Sequence, residues 1–245
     1  MSILILGILF VSAFLTSVIS ATVGMAGGIV LLSIMTFFMN LSVIVPIHGV
    51  VQLVSNFTRT LKLKQHIIRP IIRPSLVGLV LGTFVSTQII KSIDNKEVLY
   101  FIIAGLIFYT LFKPKKLPNL IIPFWGFGIL AFFVGILNPL VGATGPFMAP
   151  FYLRDDFSKE QIVATKAFNQ FMGHCLKIPA FLYLGFDYLA YIWLILLMVA
   201  GVIIGTNYGV GLLAKINEKH FRMIFRTALF IAACRVTYKA IQSLG

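Results

Sequence analysis

Acidic residues are scarce in this sequence, and so is charge of any kind. Seven Asp and Glu stand against 20 Lys and Arg, and charged residues make up 11% of the 245 positions, where an ordinary soluble domain has about 25%. Hydrophobic residues account for 59%, and the mean hydropathy is +1.00. This composition excludes a water-soluble globule and indicates an integral membrane protein.

The excess of basic residues has few possible explanations in this sequence. The net charge is +13, but no basic domain lies outside the apolar runs to hold a duplex, so nucleic acid is not a predicted partner. The charge is better explained by membrane topology and by a few intramembrane groups.

Cys175 and Cys234 lie in different apolar segments with no metal or redox spacing, which favours packing roles. No phosphate-binding loop of the Gly-x-x-x-x-Gly-Lys-Ser/Thr kind occurs, which argues against ATP-driven transport by this chain alone.

Two pairs of motifs recur at one spacing. An offset of 118 residues carries the glycine-rich stretch 20–28 onto 138–146 and the polar stretch 48–59 onto 166–177. Internal duplication with glycine-interrupted apolar segments is typical of repeat transporters whose site is formed by broken helices. The duplication is the organising hypothesis for the whole chain.

Apolar runs predict five helical segments in each half. They cover about 3–22, 24–39, 42–60, 71–90 and 98–112, then 121–137, 144–153, 161–183, 188–213 and 221–242. A full span needs about 20 residues, so 24–39 and 144–153 are expected to be broken or re-entrant. The predicted fold is an all-α integral membrane protein, an inverted repeat of about 5+5 transmembrane or re-entrant helices with broken helices at the repeat interface. The predicted divisions are 1–112 as the first membrane repeat, 113–120 as a cytoplasmic linker and 121–245 as the second.

Loop charges predict the orientation. The loop 59–73, the linker near 113–116 and the loop 215–222 are basic and are expected in the cytoplasm, whereas 91–97 and 184–187 are not basic and are expected outside. Equivalent loops of the two halves therefore differ in charge, as an inverted repeat requires. Crossings counted this way place both termini outside.

Polar side chains at helical spacing predict a site inside the membrane. His48, Gln52, Asn56 and Arg59 form one stripe, and Lys166, Gln170, His174 and Lys177 form the other. All seven acidic residues fall in predicted loops or at span ends, so a bound anion would offset the cost of the buried basic groups. The alternative is that Arg59 and Lys177 extend to an interface while the amides join neighbouring helices.

The glycine motifs are expected to bring backbone N–H groups to this predicted site. Glycine lets the chain approach a ligand closely, and a helix that starts after such a turn directs N–H groups toward an anion. For the Gly78-xxx-Gly82 and Gly201-xxx-Gly205 pairs, helix packing is favoured instead. The predicted substrate-binding residues are Thr22, Gly24, Gly27, His48, Gln52, Asn56, Asn138, Gly142, Thr144, Gly145, Lys166, Gln170, His174 and Lys177. No catalytic residue, metal ligand or cofactor is predicted.

With these motifs the chain resembles the TauE/SafE family, also called the toluene sulfonate uptake permease (TSUP) family. The resemblance runs over almost the whole chain and rests on the paired glycine motifs, the polar segments after them and the duplicated layout. Pro146 departs from the family, in which a glycine is common at that place. The resemblance implies a multi-pass protein of the cytoplasmic membrane that exports a small sulfur-containing anion such as sulfite or an organosulfonate.

Secondary transport of an anion by alternating access is therefore the leading hypothesis, with the bilayer and the anion as partners. A proton or sodium ion is left open as the coupling ion. The alternatives are an anion channel, and a membrane-embedded enzyme or assembly factor that uses His48 or His174. No His/Glu/Asp or Cys/His cluster at metal spacing supports the enzyme.

Overall fold

The computed structural model describes residues 2–23, 27–92, 121–152, 154 and 156–212, and single positions at 105, 234, 238 and 241. Apart from these single positions, the predicted spans 98–112 and 221–242 lie outside the described residues. The predicted linker 113–120 and the candidate site residue Gly24 also lie outside them.

The described residues form α-helices joined by short connections and contain no strand. Eight α-helices lie in the described residues, four in each half: α1 Ile3–Val23, α2 Gly27–Met35, α3 Leu41–Lys62, α4 Arg69–Ser92, α5 Gly126–Val141, α6 Gly145–Tyr152, α7 Lys159–Tyr183 and α8 Ile192–Leu212. Two 3-10 turns lie at Lys64–His66 and Leu189–Tyr191. The bounds follow the predicted runs closely, with two exceptions. Helix α2 ends at Met35, short of the predicted 39, and 121–125 precedes α5, because Pro123 disfavours helical backbone before it.

Within the described residues, four segments are long and apolar enough to cross a membrane: Ile3–Thr22, Leu41–Lys62, Arg69–Ser92 and Leu189–Leu212. Helix α7 has 25 residues, but its charged side chains lower its apolarity. Helices α2 and α6 have only 9 and 8 residues, which is less than half of a span. The chain is therefore a multi-pass membrane protein in which the two segments predicted to be short are short helices.

Helices α1 and α8 pack side by side through glycines of α8. A Cβ on Gly201 would meet the carbonyl oxygen of Phe10 at 2.9 Å, and one on Gly209 would meet that of Val18 at 2.7 Å. Since the residue numbers of the contacting positions rise together on the two helices, α1 and α8 run parallel. Their close approach confirms the packing role predicted for the glycines of α8.

Helices α4 and α5 form an equivalent pair. A Cβ on Gly135 would lie 2.7 Å from the carbonyl oxygen of Leu79, and Gly78 and Gly82 of α4 contact the backbone near Gly128 and Phe132 of α5. These helices also run parallel. The packing role predicted for Gly78 and Gly82 is confirmed.

Helix α3 crosses α7 at the centre of the molecule. Gly49 lies against the side chain of Lys177, and the ring of Phe57 packs on that of Phe171 with centroids 5.2 Å apart. Because the residue numbers rise on α3 as they fall on α7, these two helices run antiparallel. The 118-residue offset makes α1 equivalent to α5, α3 to α7 and α4 to α8. The α1–α8 pair is therefore equivalent to the α5–α4 pair, and α3–α7 is equivalent to itself, so these contacts are reciprocal between the halves.

The two ends of the bundle differ in charge. At one end, here called the basic end, the backbone N–H of Ile68 donates to Thr165 Oγ1 at 2.9 Å. The described basic residues of this end are Lys62, Lys64, Arg69, Arg73, Arg154 and Lys159. The opposite end has Lys91, whose Nζ donates to the hydroxyl of Tyr183 at 3.4 Å, together with Asp187.

One ion pair ties the α6–α7 connection at the basic end. Arg154 donates two hydrogen bonds to Asp156, at 2.8 and 2.7 Å, and a third to the carbonyl of Ile122 at 2.7 Å. The hydrogen bonds from Arg154 lower the pKa of the exposed Asp156 carboxyl. This contact joins the start of the second half to the connection before α7.

Candidate functional site

The two polar stripes lie inside the protein. On α3, His48, Gln52, Asn56 and Arg59 are buried, and on α7, Lys166, His174 and Lys177 are buried while Gln170 is half-buried. Arg59 is 1% exposed and Lys177 0%. Both side chains are covered by protein, so neither extends to an interface as the alternative explanation required.

Two imidazole rings meet where α3 crosses α7. The rings of His48 and His174 have centroids 6.3 Å apart and an interplanar angle of 74°. His48 Nε2 donates to the carbonyl oxygen of Gly28 at 2.7 Å, which assigns the proton to that nitrogen because a carbonyl only accepts. Nδ1 of each ring is buried with no hydrogen-bond partner in the described residues. A protonated ring would offer that nitrogen as a donor, and a neutral His48 ring would offer it as an acceptor.

Lys177 lies beside the turn that separates α5 from α6. Its Nζ donates to the carbonyl oxygen of Gly142 at 3.2 Å. Gly142 has a φ of +87°, which L side chains rarely adopt, and a Cβ there would collide with Leu32. Glycine at this position therefore lets the chain reverse inside the bundle, and α6 starts again at Gly145.

The start of α2 lies beside the same polar side chains, on the side of His48 and Gln52. A Cβ on Gly28 would touch the amide of Gln52 at 3.4 Å. Gly27 faces away from this amide, against the Thr16 carbonyl and the Ser20 hydroxyl of α1. The interior cluster is defined here as His48, Gln52, His174 and Lys177 with the backbone of Gly28 and Gly142. Both short helices start beside it.

The remaining candidates lie at several distances from this cluster. Asn138 lies against Gly173, next to His174, with its Nδ2 3.1 Å from the place of a Cβ, and its Oδ1 has no partner in the described part of the chain. Thr144 and Gly145 are buried after the Gly142 turn. Thr22 donates its hydroxyl to the carbonyls of Val18 and Ile19 within α1.

Asn56 and Lys166 lie nearer the basic end. Asn56 is eight residues beyond His48, about 12 Å along α3 at the usual helical rise, and its Nδ2 donates to the carbonyl of Gln52 at 2.8 Å. Lys166 lies near the start of α7 and is 1% exposed. The structure therefore does not gather all the predicted residues around one point, but spreads them along the α3–α7 crossing.

Positive charge predominates in this interior. No Asp or Glu is buried among the described residues, and Asp156, Glu160 and Asp187 lie at the helix ends. A central charge in a membrane costs about 2.5 to 3.5 kcal/mol on insertion scales. A bound anion would offset this cost, whereas a bound cation would add to it.

Two polar networks beside the stripes were missed by the sequence analysis. Asn169 donates to Ser75 Oγ at 3.3 Å and also bonds Tyr152 OH. Ser55 bonds Thr206 at 3.0 Å, which joins α3 to α8. Spacing gave one usable signal, since Asn169 lies three residues after Lys166 and so on a neighbouring face of the same helix. Nothing in the sequence pairs Ser55 with Thr206.

A multi-pass helical bundle with a basic, amide-lined interior and two short helices that start there has the features of a membrane transporter. The model of the family described as Sulfite exporter TauE/SafE matches residues 9–236. The chain belongs to this transporter family, as the motifs predicted. Comparison with curated proteins gave no match, and comparison with solved structures gave none.

Proposed function

We propose that this protein is a secondary transporter that exports a small sulfur-containing anion, such as sulfite or an organosulfonate, across the cytoplasmic membrane by alternating access. The observation that carries the proposal is the interior cluster, in which His48, Gln52, His174 and Lys177 come together without a described carboxylate. An oxyanion would accept hydrogen bonds from several of these groups, and each charge-assisted bond contributes about 1.5 to 3 kcal/mol.

The proposal includes an inverted repeat of 1–112 and 121–245. Two observations support it: the contacts are reciprocal between halves, and α3 runs antiparallel to its equivalent α7. A two-fold axis along the membrane normal would make equivalent helices parallel, whereas an axis in the membrane plane makes them antiparallel. Rocking of one half against the other would then expose the same cluster to each side in turn.

Anion binding is tested first with purified protein. Sulfite, thiosulfate, sulfonates, sulfate and carboxylates are added singly, and the melting temperature is measured, because a ligand of the native state raises it. We expect stabilisation by at least one sulfur oxyanion. Stabilisation by metal cations and by no anion would overturn the proposal.

A matched pair of lysine variants tests where the anion binds. Lys166 is buried on the α7 stripe, whereas Lys62 is exposed at the end of α3, where its charge is screened. We expect Lys166→Ala to weaken the anion-dependent stabilisation about tenfold or more in apparent affinity and Lys62→Ala to change it less than about twofold. Equal small effects would remove Lys166 from the site.

Transport itself is measured in proteoliposomes loaded with the stabilising anion. A carrier should show saturable flux and should exchange internal for external anion. Flux that rises linearly with concentration and shows no exchange would favour the channel. Protein that binds anions but moves none would favour the enzyme or assembly factor.

A further inference from the structure

We propose that Arg59 forms a second anion subsite on the basic-end side of the interior cluster, a role that rests on the proposed anion transport. Arg59 lies on the same stripe as His48 but 11 residues further along α3, which is about 16 Å at the usual rise. The occupant is the transported oxyanion, held by the guanidinium before it reaches the interior cluster or after it has left it.

The guanidinium is buried and its donors are poorly satisfied. Arg59 is 1% exposed. Its NH1 donates to Asn56 Oδ1 at 3.4 Å and its NH2 to Ser55 Oγ at 3.5 Å, both longer than the usual 2.7 to 3.2 Å. Its Nε has no partner in the described residues. The only ion pair found among them joins Arg154 to Asp156, so no described carboxylate neutralises Arg59.

A planar cation in this state is suited to an oxyanion. Guanidinium presents five N–H donors in a fixed fork, which matches two oxygens of one anion. A buried charge with no counter-ion is costly and is retained mainly where it serves a pathway. Here the anion would supply both the missing charge and the missing acceptors.

The repeat gives Arg59 an equivalent that already lies in the interior cluster. The offset of 118 residues carries Arg59 onto Lys177 and Asn56 onto His174. Because α3 and α7 run antiparallel, Lys177 and Arg59 lie on opposite sides of the crossing. Arg59 and Lys177 therefore lie on opposite sides of Gln52, and Lys166 is a further buried cation on the basic-end side.

The surface at the basic end is arranged to attract the same ligand. A groove of about 620 Å³ there is lined by Lys64, Arg69 and Arg73 together with Phe168 of α7. Exposed basic side chains around an opening raise the local concentration of anions. Arg59 is the buried cation of α3 nearest to this end.

The test uses the full-length protein in vesicles of known orientation, with flux measured from each side. We expect Arg59→Gln to raise the apparent KM for sulfite about tenfold on the basic-end side and to leave the opposite side within about twofold. Lys177→Gln should show the reverse preference. Lys62→Gln, one turn from Arg59 and exposed, serves as the control and should change neither KM.

The melting temperature without anion separates a binding role from a structural one. Removing an unneutralised buried charge should leave the melting temperature of Arg59→Gln equal to or above that of the wild type, while its stabilisation by sulfite weakens about tenfold. Arg59→Lys keeps the charge but loses the fork of donors, so its KM on the basic-end side should lie between those of the wild type and Arg59→Gln.

Three outcomes decide against the subsite. An unchanged KM on both sides overturns it, as does an equal rise on both sides. The third outcome is a lower melting temperature in Arg59→Gln, with no difference in KM between the two sides, when Arg59→Lys restores both stability and transport. This outcome would assign Arg59 a structural role and overturn the subsite as well. Wild-type protein that neither binds nor moves any anion of the panel would overturn the proposed function itself.

Discussion

Single basic side chains in the interior are held by backbone carbonyls. His48 donates to Gly28 and Lys177 donates to Gly142, and these two carbonyls lie in the first turn of α2 and in the turn between α5 and α6. A neutral carbonyl orients a cation without cancelling its charge. No described carboxylate lies in this cluster, so none would oppose an anion there.

His174 is the residue whose charge is expected to respond to pH. An imidazole has an ordinary pKa of about 6.5, and a bound anion would favour the charged form of this ring, which packs against His48 in the described interior. We expect His174→Gln to transport the anion more slowly and to lose most of the wild-type variation of rate between about pH 5.5 and 8, because an amide does not titrate. The measurement is anion flux across that pH range.

The control for this prediction is His66→Gln, in the 3-10 turn at the basic end. It should keep the wild-type profile. If His174→Gln also keeps that profile, His174 is not the titrating group of the site.

At the scale of elements, glycine stripes decide which helices pair. Gly201, Gly205 and Gly209 bring α8 onto α1, and Gly78 and Gly82 bring α4 onto α5. In a bilayer, apolar side chains gain little by leaving lipid, so close backbone contact is a main source of helix association. These pairs form a scaffold around the crossing of α3 and α7.

Gly205→Ala tests this scaffold. A Cβ at Gly205 would collide with the carbonyl of Phe14, whereas one at Gly211, on the same helix, has open space. We expect Gly205→Ala to cost about 1 to 3 kcal/mol and to lower the melting temperature by several degrees, on the order of 3 to 10 °C. The measurement is thermal unfolding in detergent.

Gly211→Ala is the matched control and should be neutral or slightly stabilising, since alanine has the higher helix propensity. Equal melting temperatures for the two variants would show that α1 and α8 do not depend on close contact at Gly205.

At the scale of the whole molecule, the two ends carry different charge. The described basic residues concentrate at the end with the loop after α3, while the loop after α7 lies at the opposite end and contains Asp187. Basic loops are retained in the cytoplasm. Opposite placement of these equivalent loops also supports the proposed inversion.

Single cysteines test the orientation in intact cells. In a background with Cys175 and Cys234 replaced by serine, Lys64→Cys, Asp187→Cys and Glu218→Cys are probed with a membrane-impermeant thiol reagent. We expect Asp187→Cys to react from outside, and the other two only after permeabilisation, because their loops are basic.

Labelling of Lys64→Cys from outside would contradict the orientation. Labelling of Asp187→Cys and Glu218→Cys from the same side would contradict the order of crossings in the second half. Wild-type transport activity of each variant serves as the control for folding.

Sequence alone determined the membrane class, the approximate positions of the described helices, the two short segments and the polar stripes, because apolarity and helical spacing are local properties. Tertiary structure decided which surfaces meet: His48 with His174, Lys177 with Gly142, and Gly27 with α1. It also decided that Arg59 is covered by protein. The physical reason is that lipid and protein interior are similarly apolar, so hydrophobicity places a residue in the membrane without telling which neighbour it faces. That choice depends on close packing and on the register of the crossing between α3 and α7.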